Sequence, residues 1–112
     1  MKEEILKQAE AIKAFIEEHK GIDTKIIDVS EDCSWTDCFV ITTVSSLGHL
    51  RGLAREMWDV IDSLGLSVNN RHKEVGDDGW ELIDCGNIVI HLMSSELRAF
   101  YSLEKLWKKL GD

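Results

Sequence analysis

The chain has 112 residues, 44% of them apolar and 30% charged, which suits one soluble folded domain over residues 1–112 and is too apolar for a disordered chain. Thirteen basic residues against 21 acidic ones leave a formal net charge of −8. Such a surface disfavours a direct grip on nucleic acid, which needs clustered cations to displace counterions, and disfavours attachment to anionic lipid. Residues 25–96 hold the whole imbalance, with 5 basic and 13 acidic side chains. The opening residues Met1-Lys2-Glu3-Glu4 lack the apolar stretch of a signal peptide, and no apolar run approaches the length of a membrane span. Three cysteines, an odd number without tight spacing, fit a reducing compartment; a cytoplasmic protein is the expectation.

Along the chain, Ile5, Ala9, Ile12 and Ile16 recur at helical spacing among Lys and Glu, which predicts an amphipathic helix from about Glu3 to His19 that ends near Gly21. Lys25–Val29 is a short β-branched run and reads as a strand. Asp32-Cys33-Ser34 is turn chemistry, and Cys38–Thr43 is apolar enough for a central strand. Ser45 or Ser46 can cap a second helix with the stripe Leu50, Leu53, Met57, Ile61 and Leu64, ended by Gly65. A further strand is expected within 66–75, and Asp77-Asp78-Gly79 reads as a turn. Trp80–Cys85 and Ile88–Met93 form a hairpin around Gly86-Asn87. Ser94 or Ser95 then opens a final helix running through Trp107. The order α-β-β-α-β-β-β-α implies a mixed α/β domain (α+β), with helices packed on a sheet of about five strands.

The hairpin sorts its side chains by strand alternation. Ile83, Cys85, Ile88, Ile90 and Leu92 share one face, expected to be core. Trp80, Leu82, Asp84, Val89, His91 and Met93 share the other. Two readings of that second face stand side by side. Either another helix covers it and satisfies Asp84 and His91 internally, or it is open and receives a partner, as its mixture of large apolar anchors and one carboxylate suggests. Three amphipathic helices cover one face of a five-stranded sheet more easily than two, which favours the open face.

Site chemistries of other kinds find little support. Cys33 and Cys38 have four residues between them, and His19, His49, His72 and His91 follow no ligand spacing, so no metal site is expected. Cys38 and Cys85 fall in strands, where a small inert core residue is the simplest role. No phosphate-binding glycine loop is present. Asp77-Asp78 reads as a solvated turn, and Asp84 lacks the paired carboxylate that metal-assisted transfer would use. Lys105, Lys108 and Lys109 sit where cations complement a helix C-terminus. Neither enzymatic activity nor a cofactor is expected.

Two blocks carry a family resemblance. The first is Thr36-Asp37-Cys38-Phe39-Val40-Ile41-Thr42-Thr43, followed by Ser46, His49 and Ala54. The second is Trp80, Leu82, Asp84, Gly86, Val89 and His91, then Glu96, Arg98, Tyr101, Leu103-Glu104 and Leu106-Trp107. Together they resemble the ribosomal silencing factor (Iojap) family over most of the chain. The resemblance implies a fold related to nucleotidyltransferases but without their active carboxylates; the alternative from another class is a divergent nucleotidyltransferase-like enzyme using other residues. It also implies binding to a basic large-subunit ribosomal protein on the intersubunit face, which blocks subunit joining and represses translation when nutrients are scarce. Organellar relatives assist large-subunit assembly, and family members often purify as homodimers. By position, Trp80 and Cys85 match the places of partner contact. Asp84 between them suits a partner Lys or Arg, and Leu82 and Met93 complete the set. Asp37, His91, Arg98, Tyr101 and Trp107 match the family in supporting positions. The family more often has Tyr or Leu at Cys85, and Val44 with Ser46-Leu47-Gly48 departs from its Gly and Ser-Ser-Arg pattern.

Overall fold

A computed structural model describes residues 1–69 and 79–105. The element order is α1 (Glu3–Glu18), β1 (Ile22–Asp28), β2 (Cys38–Val44), α2 (Leu47–Ser63), β3 (Trp80–Asp84), β4 (Ile88–Ser94) and α3 (Ser95–Tyr101). The four strands form one mixed sheet in the order β1-β2-β4-β3. β2 and β4 run parallel at its centre, and each is flanked by an antiparallel partner. Of the strand expected within 66–75, residues 66–69 are not strand and the remainder lies outside the described residues, as do Asp77-Asp78. Asn69 nevertheless donates its backbone N–H to the Asp84 carbonyl at 2.7 Å, beside the outer edge of β3.

The two central strands are buried along nearly their whole length because both of their faces are covered. On one face, Ile5, Ala9, Ile12 and Ile16 of α1 and Leu50, Leu53, Met57 and Ile61 of α2 pack over Cys38, Val40, Ile83, Ile88, Ile90 and Leu92. A fully buried Ile or Leu contributes roughly 1.5–3 kcal/mol, so this layer supplies most of the stability. The other face is smaller. Ile27, Phe39, Ile41, Val89 and Met93 lie there under Val29, Cys33, Leu97 and Leu103. The helices are therefore split between the faces, two and one. This corrects the expectation of an open second face: α3 and the segment 29–37 lie across it.

Local sequence sets the boundaries. Ser46 caps α2 by accepting from the His49 N–H at 3.0 Å, and Gly65 beyond its end takes φ +77°. The loop between β3 and β4 has its positive φ at Gly86 only, the pattern of a II′ rather than a I′ hairpin. Ser94 caps α3 through the Leu97 N–H at 3.2 Å. The final helix does not run unbroken through the expected length. Ser102 adopts φ +48°, its N–H returns to the Arg98 carbonyl at 2.9 Å, and helical backbone resumes only at 103–105. Trp107, Lys108 and Lys109 lie outside the described residues. β1 begins three residues earlier than expected, because a bulge between Ile22 and Lys25 carries the pairing past Asp23, itself at φ +50°.

Candidate functional site

The β3–β4 register is Leu82 opposite His91, Ile83 opposite Ile90 and Asp84 opposite Val89, with the Cys85 N–H on the Ile88 carbonyl at 2.8 Å. This is the pairing that a two-residue Gly86-Asn87 loop dictates. It brings Trp80, Leu82 and Asp84 onto the α3 side of the sheet's outer strand, all three half-buried. The inner row beneath them is closed: Val89 and Met93 are fully buried and His91 is 4% exposed.

Trp80 is held from two sides. Its indole N–H donates to His91 Nδ1 at 3.2 Å, and its ring lies 4.9 Å from that of Tyr101. His91 in turn meets the edge of Phe39 at 4.7 Å. Because Nδ1 accepts from Trp80, the neutral ring carries its proton on Nε2, a buried atom with no hydrogen-bond partner among the described residues. Burial pushes the His91 pKa down to about 4, so the ring stays neutral. Beyond Phe39 the aromatic series continues to Trp35, at 6.4 Å and 59% exposed; beyond Tyr101 it continues to Phe100, at 5.0 Å. The result is a row of six rings from the 29–37 segment to the end of α3, buried in the middle and exposed at both ends. Asp84 stiffens the hairpin: its Oδ1 accepts the Gly86 N–H at 2.8 Å.

The remaining expected site residues fall elsewhere. Cys85 points to the opposite face, into the α1–α2 core, and burial pushes its thiol up to about 12. Strand alternation had placed it there, and a partner cannot reach it without opening the hairpin. Met93 is equally enclosed, which removes it from any contact surface. Asp37 acts through its backbone, with its N–H on the Asn87 carbonyl at 3.0 Å and its carbonyl taking the Val29 N–H at 2.9 Å. Arg98 is 8% exposed and ties α3 to the sheet. Its guanidinium donates to Thr43 Oγ1 at 2.9 Å, the Ile22 carbonyl at 3.3 Å and Glu104 at 3.0 Å, and it lies 3.7 Å from the Asp23 carboxylate across the β1 bulge. Tyr101 is half-exposed against Trp80. The departing loop has an internal function, because His49 Nδ1 accepts the Ser45 N–H at 3.0 Å while Nε2 donates to the His19 carbonyl at the end of α1. Trp35 and Phe100 were not singled out by motif or spacing; a large aromatic in a short polar turn or near a helix end is the signal that could have found them.

Among the described residues no three His, Cys, Asp or Glu side chains are grouped to hold a metal ion, and no helix is long and apolar enough to cross a membrane. What the arrangement offers is a rigid, partly exposed aromatic and apolar edge beside a carboxylate, the composition of a protein-binding surface.

Residues 2–111 match the family model described as ribosomal silencing factor during starvation. The chain is 34% identical over 101 residues to ribosomal silencing factor RsfS of Treponema pallidum (strain Nichols), covering 89% of each chain. It is 32% identical over 96 residues to a mouse protein named mitochondrial assembly of ribosomal large subunit protein 1, covering 84% of this chain but 42% of that longer one. A crystal structure of a protein from Chromobacterium violaceum superposes with a TM-score of 0.84 at 24% identity over 96% of this chain and 88% of that one, which bears on the fold alone. The chain belongs to the ribosomal silencing factor family.

Proposed function

We propose that this protein binds the large ribosomal subunit through a basic ribosomal protein on the intersubunit face and sterically blocks joining of the small subunit, repressing translation during starvation. The observation that carries this reading is the fixed position of Trp80. It is half-buried on the outer strand, hydrogen-bonded to His91 and packed at a tilt against Tyr101, with Leu82 and Asp84 along the same strand face. An anchor whose rotamer is already set loses little entropy on docking. A single domain over 1–112 suffices, because obstruction needs bulk and position rather than a covalent step.

The charge distribution fits the same partner. An excess of acidic side chains between residues 25 and 96 steers the molecule toward a cationic protein and away from bare RNA. The Asp84 carboxylate lies on the same strand face as Trp80 and Leu82 and suits an Arg or Lys of that partner. The cytoplasm is the compartment for this activity, with the protein acting as a monomer or homodimer and without a cofactor.

Co-sedimentation with purified large subunits tests the assignment. Wild-type protein travels with the large subunit and not with the small one, and a folded Trp80→Ala variant stays at the top of the gradient. Undiminished co-migration of that variant contradicts the docking surface. A second reading, assistance in large-subunit assembly, is favoured by the name of the mouse relative. It predicts large-subunit precursors in cells lacking the protein rather than an excess of joined ribosomes in starved cells.

A further inference from the structure

The exposed end of the aromatic row extends past every residue assigned so far. Phe100 is 78% exposed, the highest value of any large apolar side chain among the described residues. α3 docks on the sheet through Leu97 and Arg98, and Phe100 takes no part in either buried cluster. Yet its ring is not isolated. It meets Tyr101 nearly perpendicularly at 5.0 Å, and Tyr101 meets Trp80 at 4.9 Å, so the three rings form one connected surface. The left-handed Ser102 ends α3 immediately after them, and both rings are exposed, Phe100 more than Tyr101.

We infer that Phe100 and Tyr101 are a second anchor for the same basic ribosomal protein, on a surface continuous with Trp80. The inference rests on the docking reading given above. Continuity is the first argument, since a partner seated on Trp80 comes within one ring's width of Tyr101 and two of Phe100. Charge is the second. The acidic excess of residues 25–96, which include Trp80 and Asp84, favours a cationic partner, and the exposed aromatic faces accept its guanidinium and ammonium groups. Phe100 contributes by burying its ring on complex formation, and Tyr101 by bridging it to Trp80.

The test measures affinity for purified large ribosomal subunits, with thermal midpoints recorded alongside. Phe100→Ala is expected to weaken binding about tenfold with an unchanged midpoint, Phe100→Leu to restore most of it, and Leu47→Ala, which removes an exposed apolar group on α2, to bind as wild type. Wild-type affinity in Phe100→Ala, together with lost binding in Trp80→Ala, overturns the second anchor and leaves the Trp80 surface standing. Wild-type affinity in both variants removes the docking reading itself, and the second anchor with it. A Phe100→Ala variant that binds normally but falls from dimer to monomer in solution assigns the Phe100–Tyr101 pair to a second copy and also overturns the inference.

Discussion

Trp80 and His91 are joined diagonally across the β3–β4 pair, the indole N–H of one on the Nδ1 of the other at 3.2 Å. Leu82, not Trp80, stands directly opposite His91, so the bond reaches over one step of the ladder and leans the indole along the sheet. A buried imidazole thereby acts as the bracket for a half-exposed tryptophan.

That bracket is pH-sensitive. With a folded pKa lowered by burial from 6.5 to about 4, His91 protonates more readily in the unfolded chain than in the native one. Its effect on stability is therefore nil above pH 6.5, grows more adverse as pH falls from 6.5 towards 4, and is constant below. Between pH 7 and pH 5 it removes about 2 kcal/mol. Urea unfolding at the two pH values should show that loss in the wild type and a much smaller one in His91→Asn, which keeps an acceptor for Trp80 but cannot titrate there. Equal pH dependence in both proteins contradicts the assignment.

Arg98 fastens α3 to the β1 bulge and to Glu104. Burial works against the charge of Glu104, but the hydrogen bond and charge of Arg98 hold its carboxyl below the ordinary value. Arg98→Ala strands that carboxylate and removes the donor to Thr43 Oγ1, and is expected to cost about 2–4 kcal/mol. Arg98→Lys keeps the charge without the fork and falls between the two. Chemical denaturation of the three proteins measures the series; a loss below about 0.5 kcal/mol in Arg98→Ala shows the cluster to be ornamental.

Gly21, just beyond α1, is a matter of space. A Cβ there would sit 2.2 Å from Ile16 Cγ2 and 2.6 Å from Thr42 Oγ1, both in buried side chains. Gly21→Ala should lower stability by about 1–3 kcal/mol. Gly65→Ala, at positive φ but with open space around it, should cost only about 1 kcal/mol. Thermal unfolding ranks them, and the reverse order contradicts the packing at Gly21.

The thiols should be silent. Cys33, Cys38 and Cys85 are free and buried, and burial raises Cys38 and Cys85 to about 12. A water-soluble disulfide reagent is expected to label none of them in native protein within minutes and all three in urea. Prompt native labelling of Cys85 would restore it to the accessible surface.

Much of this architecture was legible because its signals are local. The Gly86-Asn87 loop fixes the β3–β4 register, and alternation then puts Trp80, Leu82 and Asp84 on one face and Cys85 on the other. The placement of Cys85 among partner contacts came from the family resemblance and ran against that alternation; the structure sides with the alternation. Coverage of the second face was not legible. α3 has seven residues, too few for a periodic stripe to declare which sheet face it meets, and Leu97 and Arg98 find that face only through tertiary contact. The break at Ser102 is similarly hidden, since a left-handed serine carries no sequence signature of the kind glycine provides. Trp35 and Phe100 escaped because each lies in a short segment and acquires meaning only from the rings beside it.

Subunit joining tests the central claim most directly. Purified small and large subunits are mixed with excess protein, and association is followed by light scattering. Wild-type protein preincubated with the large subunit is expected to reduce the joined fraction in proportion to its occupancy. Trp80→Ala, with an unchanged far-ultraviolet dichroism spectrum, should leave joining intact. Full joining in the presence of saturating wild-type protein, or undiminished inhibition by Trp80→Ala, contradicts steric silencing through this surface.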